Sequence, residues 1–470
     1  MIKFGTGGWR AIIGEDFTKA NIQILARAMA DKMKAEGVAE SGIVMGYDRR
    51  FLSKETVKWS CEVFAAEGIV CHFVCHSVPT PLIMNHVMKY GFPYGMMVTA
   101  SHNPSLYNGI KVFTAGGRDA DETQTRDIER YIEAVDPANI ARMDYDEAVR
   151  QGLVIEFYPM NEYIDDILAK INIDAIRRAG LRIVLDPMYG VGEAALSTIL
   201  ITGRCDLTVI HREHDTLFGG RMPAPSSEFL QMLKTTVTDR KYDLGLATDG
   251  DADRLGVIDD CGNYLHPNDI LVLLYYYLVK YKGWRGPVVR NIATTHRLDA
   301  IAASFGETCY EVPVGFKHIS AKMAETDAVL GGESSGGLTV TGHIRGKDGV
   351  YAASLLVEMV AETGRKLSEL MEIIRQEYGS AYMKECSLTF HPSRKAELQK
   401  RMFTDRELPE LPFAIDHVSY LDGCKVYFEN GGWVVIRFSG TEPLLRVFCE
   451  MPNKRDATQV CDIIKAYFGI

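Results

Sequence analysis

A chain of 470 residues is too long for one ordinary hydrophobic core, so two to four domains are expected. With 47% hydrophobic and 24% charged residues its composition is globular, and a formal charge of −10 argues against a nucleic acid held by general electrostatics. The start, Met1-Ile2-Lys3-Phe4-Gly5, carries no apolar signal segment, and no run of about eighteen apolar residues occurs, so neither a secretory signal nor a membrane partner is expected.

The ten cysteines form no paired framework. Cys71-His72-Phe73-Val74-Cys75-His76 has neither zinc nor haem spacing and reads as alternation along a strand. Reduced thiols and a cytoplasmic location are the expectation.

The chain opens with Phe4-Gly5-Thr6-Gly7-Gly8-Trp9-Arg10, which reads as a glycine-rich turn. It fits neither the Walker nor the dinucleotide fingerprint, but its glycines let backbone approach a ligand and Arg10 can pair with a phosphate. Ile22, Leu25, Met29 and Met33 make a helical stripe that Gly37 stops. A strand follows at 42–47, then a helix capped by Ser53 to about Gly68, a strand at 70–75, a helix at 82–89 after the break Pro79-Thr80-Pro81, and a buried strand at 94–98. Alternation of this kind implies right-handed βαβ units and a parallel sheet, whose ligands gather at the carboxyl ends of strands. The pattern returns with strands at 181–185, 206–210 and 244–248 and a helix at 228–238. A third round has strands at 288–291, 310–312 and 328–330, with helices from about His296 and Phe316. After an amphipathic helix at 366–378 come two strands, 433–438 and 445–450, and a closing helix at 456–468, an α+β pattern.

Four stretches carry chemistry. Thr99-Ala100-Ser101-His102-Asn103-Pro104 places a serine at a strand tip with histidine beside it and Lys111 ten residues on, either a nucleophile site or a polar loop closed by Asn-Pro. Asp249, Asp251 and Asp253 follow a buried strand and read either as an acidic surface turn or as a cation site. Three carboxylates so close repel unless a cation neutralises them, and hard oxygen ligands point to Mg²⁺ or Ca²⁺, with Mg²⁺ the better fit to a phosphate oxygen. An EF-hand fails, because Arg254 stands where glycine is needed and Asp260 where glutamate is needed. Gly331-Gly332-Glu333-Ser334-Ser335-Gly336-Gly337 offers a glutamate and two serines to sugar hydroxyls. Nearby Lys347 adds a charge, and Gly315-Phe316-Lys317 opens a helix where an anion is welcome. Arg437-Phe438-Ser439-Gly440-Thr441, with Arg446 after it, has the parts of a phosphate grip.

Together these motifs resemble the α-D-phosphohexomutase family, which includes phosphoglucomutase, phosphomannomutase and phosphoglucosamine mutase. The resemblance spans nearly the whole chain, with the motifs in the family's order. It implies three similar α/β domains with mixed, largely parallel sheets plus a C-terminal α+β domain around a central cleft. The expected spans are 1–145 with the phosphoserine loop, 146–255 with the Mg²⁺ loop, 256–380 with the sugar loop and 381–470 with the phosphate loop. It implies that Ser101 carries the phosphoryl group and, with Asp249, Asp251 and Asp253, binds Mg²⁺. Arg10, His102, Lys111 and Arg254 fall at active-site positions. Gly315, Lys317, Glu333, Ser335, Lys347, Arg437, Ser439, Gly440, Thr441 and Arg446 are the expected substrate ligands. His102 and Lys111 can carry protons for the hydroxyls. The implied activity interconverts hexose 1- and 6-phosphates through a sugar bisphosphate, with glucose 1,6-bisphosphate as activator. The partner is a small phosphosugar, and the protein is a monomer or homodimer.

One departure stands out: many bacterial members place histidine after the sugar-loop glycine, where this chain has Gly337. Gly315-Phe316-Lys317-His318 looks more like phosphoglucomutase, so glucose phosphate is favoured, with mannose phosphate as overlap. Phosphoglucosamine mutase is the alternative within the class, and a metal-dependent sugar-phosphate phosphatase the alternative outside it.

Overall fold

The computed structural model describes residues 2–5, 7–438 and 444–469. The chain folds as two bodies, Met1–Ile270 with Ser335–Ser368, and Leu271–Ser334 with Glu369–Ile470. No helix among the described residues is long and apolar enough to cross a membrane.

The first body holds two sheets. The first contains β1 (Trp9–Ile12), β2 (Ile43–Tyr47), β3 (Cys71–Val74), β4 (Tyr94–Val98), β5 (Tyr107–Thr114), β6 (Arg118–Asp119) and β7 (Val154–Phe157), ordered β1-β5-β4-β2-β3-β7 with β6 on β5. Its centre is parallel, β4-β2-β3-β7, while β5 runs antiparallel to both β4 and β1. β2 and β4 are buried along their whole length, as their unbroken apolar character requires of strands covered on both faces. The helix Lys19–Ala35 starts at Thr18, whose hydroxyl accepts from Asn21 N, and its stripe of Ile22, Leu25, Met29 and Met33 is fully buried. The second sheet contains β8 (Arg182–Asp186), β9 (Asp206–Val209), β10 (Leu244–Thr248), β11 (Leu255–Ile258) and β12 (Tyr264–Leu265), ordered β12-β11-β10-β8-β9. Here too a parallel centre, β10-β8-β9, carries an antiparallel flank.

In the second body, β13 (Val288–Asn291) pairs in parallel with β14 (Cys309–Val312) and β15 (Leu330–Gly332). β16 (Leu338–Val340) lies in the first body's last segment. The C-terminal sheet contains β17 (Tyr382–Thr389), β18 (Ile415–Ser419), β19 (Cys424–Phe428), β20 (Trp433–Phe438) and β21 (Leu444–Met451), ordered β17-β21-β20-β19-β18 and wholly antiparallel. The helix Lys454–Phe468 packs Ala457, Val460, Cys461, Ile464 and Phe468 into that sheet's core.

Several expectations change. The glycine-rich opening runs directly into a strand, β1, because Gly109 on β5 has no Cβ: one there would stand 2.2 Å from Trp9 O. Ser53 is the first helical residue rather than the cap; Leu52 takes the cap position in the left-handed region (φ 63°), and the Ser53 hydroxyl donates to Asp48 Oδ1 instead. The strand expected at 328–330 is centred later, at Leu330–Gly332. The C-terminal sheet has five strands where two were expected. The first sheet takes in β7 beyond residue 145, and the second takes in β11 and β12 up to Leu265.

Candidate active site

Ser101 follows β4 on a buried loop and has φ 52°, a left-handed conformation that costs a non-glycine residue about 1–2 kcal/mol unless its surroundings impose it. They do. Ser101 N donates to Thr99 Oγ1 at 2.8 Å, and Thr99 Oγ1 donates to Asp48 Oδ2 at 2.7 Å. The fully buried guanidinium of Arg50, beside Asp48, donates to four loop carbonyls: Ser101 O and Asn103 O at 2.6 Å, Pro104 O and Tyr107 O at 2.9 Å. Arg10 Nη1 holds Asn103 Oδ1 at 2.7 Å. The loop is therefore fixed through its backbone, and the Ser101 hydroxyl projects with Oγ donating to Asp249 Oδ2 at 2.8 Å and 3.3 Å from His102 Nδ1.

The aspartate loop arrives from the end of β10. Asp249 Oδ1 accepts from the amides of Asp253 and Arg254 at 3.0 and 3.1 Å, which curls the loop back on itself. Asp249, Asp251 and Asp253 are buried, and ligand oxygens from the three lie within 4.8 Å of one another. Lys111 Nζ, presented by β5, bridges Asp251 Oδ2 and Asp253 Oδ2 at 2.7 Å each, and Lys347 Nζ reaches Asp253 Oδ2 at 3.0 Å. Thr80 opens the helix Thr80–Tyr90 and donates twice to Asp251, from Oγ1 to Oδ2 at 2.6 Å and from N to O at 2.9 Å. Asp251 Oδ1 and Asp253 Oδ1 remain buried without a hydrogen-bond donor among the described residues. Two orphaned carboxylate oxygens beside a third carboxylate are the donor set of a hard divalent cation, so the residues present fit Mg²⁺.

The electrostatics are divided. Burial, with Asp251 and Asp253 alongside, pushes the Asp249 carboxyl well above its usual range. Burial also opposes charge on Asp253, but Lys111, Lys347 and Arg254 outweigh it and hold that carboxyl well below. Lys111 is raised because Asp251 and Asp253 overcome its burial. His102 is held well below its ordinary value by Arg254, burial and Arg10. The first body thus brings together Ser101, His102, Lys111, Arg10, Arg254, Lys347 and the three aspartates. Lys347 bears on the aspartate loop through Asp253. Its stem lies over Gly337, where a Cβ would meet Lys347 Cδ at 2.2 Å, so the space a larger residue would need at 337 is filled from residue 347. Ser335 is exposed.

In the second body, Glu333 is buried at the end of β15, and its Oε1 accepts from Gly315 N at 3.1 Å and Asn291 Nδ2 at 3.2 Å. Gly315 (φ 125°) precedes the helix Phe316–Thr326, with Lys317 half-buried in its first turn. Arg437 and Arg446 are direct cross-strand partners on β20 and β21. Ser439, Gly440 and Thr441 lie outside the described residues.

Models of the four domains of phosphoglucomutase/phosphomannomutase match this chain in order: alpha/beta/alpha domain I over residues 1–139, domain II over 161–262, domain III over 266–378 and the C-terminal domain over 404–466. The chain belongs to the phosphoglucomutase/phosphomannomutase family. Its similarity to relatives runs end to end. A phosphoglucomutase/phosphomannomutase of Thermococcus kodakarensis is 28% identical over 98% of this chain and 97% of its own. A protein named "Probable phosphoglucosamine mutase" from Methanosarcina barkeri is 32% identical over 81% of each. A crystal structure of a family member from Thermus thermophilus matches with TM-score 0.86 and 27% identity, covering 100% of this chain and 99% of that one. The chain is accordingly a phosphohexomutase, an intramolecular phosphotransferase, with the four α/β domains of its family.

Four residues that bond the expected site residues escape sequence reasoning. Thr80 was hidden in a proline-flanked break, Asn103 behind the serine beside it, and Asp422, which bonds Arg437, in an ordinary turn. Arg50 had a signal: Asp48-Arg49-Arg50 puts charge directly after a fully buried strand, where a ligand or a loop must receive it.

Proposed function

We propose that the protein interconverts a hexose 1-phosphate and its 6-phosphate, glucose preferred and mannose accepted, through phosphorylated Ser101 and a sugar bisphosphate, with Mg²⁺ and with glucose 1,6-bisphosphate as activator. The observation that carries this reading is the Ser101 hydroxyl at 2.8 Å from Asp249, on a rigid buried loop ringed by Lys111, Lys347, Arg10 and Arg254.

Asp249, Asp251, Asp253 and Ser101 would hold the metal. Bound there, Mg²⁺ supplies charge neutralisation on the phosphoryl oxygens. The chain's own groups do the rest. In the forward transfer the Ser101 Oγ–P bond breaks as a new P–O bond forms to a sugar hydroxyl, and that hydroxyl's proton is lost to a neighbouring base. In the return transfer the sugar O–P bond at the other end breaks as a P–O bond forms to Ser101 Oγ, and the serine's proton passes through the neighbouring base to the freed sugar oxygen. Arg10, Arg254 and Lys347 meet the growing charge with fixed cations whose positions need no reorganisation. His102, with Nδ1 beside Oγ, and Lys111 are the groups placed to hold or pass a proton. Arg437 and Arg446 hold the phosphate that is not reacting, and Glu333 binds sugar hydroxyls.

A second reading, phosphoglucosamine mutase, is favoured by the names of relatives at 29–32% identity. One experiment decides: conversion of the 1-phosphates of glucose, mannose and glucosamine, each with Mg²⁺ and a trace of the matching bisphosphate. Glucose 1-phosphate should turn over fastest; a clear lead for glucosamine 1-phosphate transfers the assignment. Ser101→Ala should lower turnover of every substrate by about 10⁴-fold or more while leaving the melting temperature within a few degrees. Turnover near wild type in that variant would remove the phosphoserine mechanism.

A further inference from the structure

We propose that Asp422 is a positioning residue that couples the phosphate grip to the sugar-binding turn. The proposal rests on Arg437 as a phosphate ligand and Glu333 as a sugar ligand. Asp422 stands in the turn between β18 and β19. Its carboxylate takes the Arg437 guanidinium, with Nη2 at 2.8 Å from Oδ2 and 3.0 Å from Oδ1. The same Oδ2 accepts from Val314 N at 2.8 Å. The very next amide, Gly315 N, donates to Glu333 Oε1, and that oxygen also holds Asn291. One turn of chain, Val314-Gly315, is therefore pinned by two carboxylates, one bonded to the phosphate-grip arginine and the other at the centre of the sugar loop.

Three further observations agree. Arg437 faces Arg446 directly across β20 and β21, an arrangement that repels unless an anion stands by, and Asp422 supplies one. Asp422 engages the Nη2 edge of Arg437, and the buried Nε makes no hydrogen bond among the described residues, so the fork is oriented but not consumed. Gly423 is the only residue type that fits next to it: its φ is 98°, and a Cβ there would stand 2.6 Å from Arg437 Cγ and 2.5 Å from Ile436 O. A phosphate that draws Arg437 changes the pull on Asp422, hence on Val314-Gly315, hence on Glu333. Recognition of the phosphate end and of the sugar then reinforce each other.

The test is steady-state kinetics with the preferred hexose 1-phosphate on Asp422→Ala, Asp422→Asn, Arg437→Ala, Glu333→Ala and the doubles of Asp422→Ala with each of the last two. Asp422→Ala should raise KM about tenfold with kcat changed less than about threefold. Asp422→Asn keeps an acceptor for Val314 N without the charge on Arg437 and should fall between; it carries the test if the alanine variant does not fold. The doubles should raise KM by less than the product of the single effects, because the residues act along one chain. A KM unchanged in Asp422→Ala, or effects that multiply in both doubles, overturns the coupling. An unchanged KM in Arg437→Ala overturns the phosphate-grip reading instead, so the two failures are distinct.

Discussion

Each body of the protein buries a cluster of charges, and the two are finished differently. In the second body, Glu311 sits among Lys425, Arg290 and Tyr427. Lys425 Nζ is 2.6 Å from Oε2, Arg290 shares that oxygen, and the Tyr427 hydroxyl donates to Oε1. Arg290 turns its other edge to Asp299 in a two-toothed grip at 2.7 and 2.9 Å. Lys425 also approaches His296 Nε2 at 3.0 Å and lies 4.3 Å from the Trp433 ring centroid. The carboxylate oxygens of Glu311 and Asp299 are all spoken for. In the first body, Asp251 Oδ1 and Asp253 Oδ1 are buried without a hydrogen-bond donor among the described residues, three carboxylates crowd together, and a strained serine points at one of them. Burying charge is costly in both places. Where every carboxylate oxygen has a donor, the cluster ties β13 and β14 to β19. Where carboxylate oxygens are left over, as at Asp251 and Asp253, the donor set fits a cation.

Asp249→Asn should have the largest effect and tests the contrast directly. Asparagine keeps an Oδ1 acceptor for the amides of Asp253 and Arg254, and the parent carboxyl is already pushed toward neutrality by burial and its neighbours. Turnover should fall by about 10³-fold and Mg²⁺ binding, read by titration calorimetry, should weaken, while the melting temperature in chelator stays within about 3 °C of wild type. Glu311→Gln should do the reverse. It leaves Lys425 and Arg290 sharing a neutral partner and should cost about 3 kcal/mol in urea unfolding, with Mg²⁺ affinity unchanged. If Asp249→Asn melts as early as Glu311→Gln, the distinction between the clusters collapses.

A smaller effect follows from His296. Burial first, then Arg290 and Lys425, lower its pKa to about 4, with Glu311 and Asp299 opposing. The unfolded chain, titrating near about 6.5, binds more protons than the folded one between these values. Stability therefore falls as pH drops from about 6.5 toward 4, by about 2–3 kcal/mol from this group, and levels off below. His296→Gln should flatten the dependence of the urea midpoint over that window; an unchanged slope would mean that the histidine is not held neutral.

How much of this was legible in the sequence depended on whether a feature was local. Ser101 and the three aspartates could be read because each motif is contiguous and follows an apolar strand, so pattern and chemistry coincide. Arg50 and Thr80 act on loops far from them in the chain, through backbone carbonyls and a single carboxylate, and leave no spacing to recognise. The stretch at 4–10 reads as a turn because its glycines look permissive; what lets its last two residues begin β1 is Gly109, on another segment, giving Trp9 room to approach. β17, Tyr-Met-Lys-Glu-Cys-Ser-Leu-Thr, is polar enough to hide among loops, and only its full-length ladder with β21 fixes it. At Gly337 the sequence does not reveal that the Lys347 stem, ten residues on, lies where a side chain at 337 would stand.

The threading of the transfer site also bears on how the protein is made. Arg10, Thr80, Ser101 and Lys111 leave the ribosome early, the aspartate loop much later, and Lys347 later still, with Gly349 N closing on Ala252 O. Domains fold in order of synthesis, so the serine loop is formed while its acidic partner is still untranslated. A nascent chain thus carries the Ser101 hydroxyl with His102 beside it but without Asp249 to receive its hydrogen bond. The long sequence separation of the parts means that Ser101, the aspartates and Lys347 can meet only once about three-quarters of the polypeptide has been read.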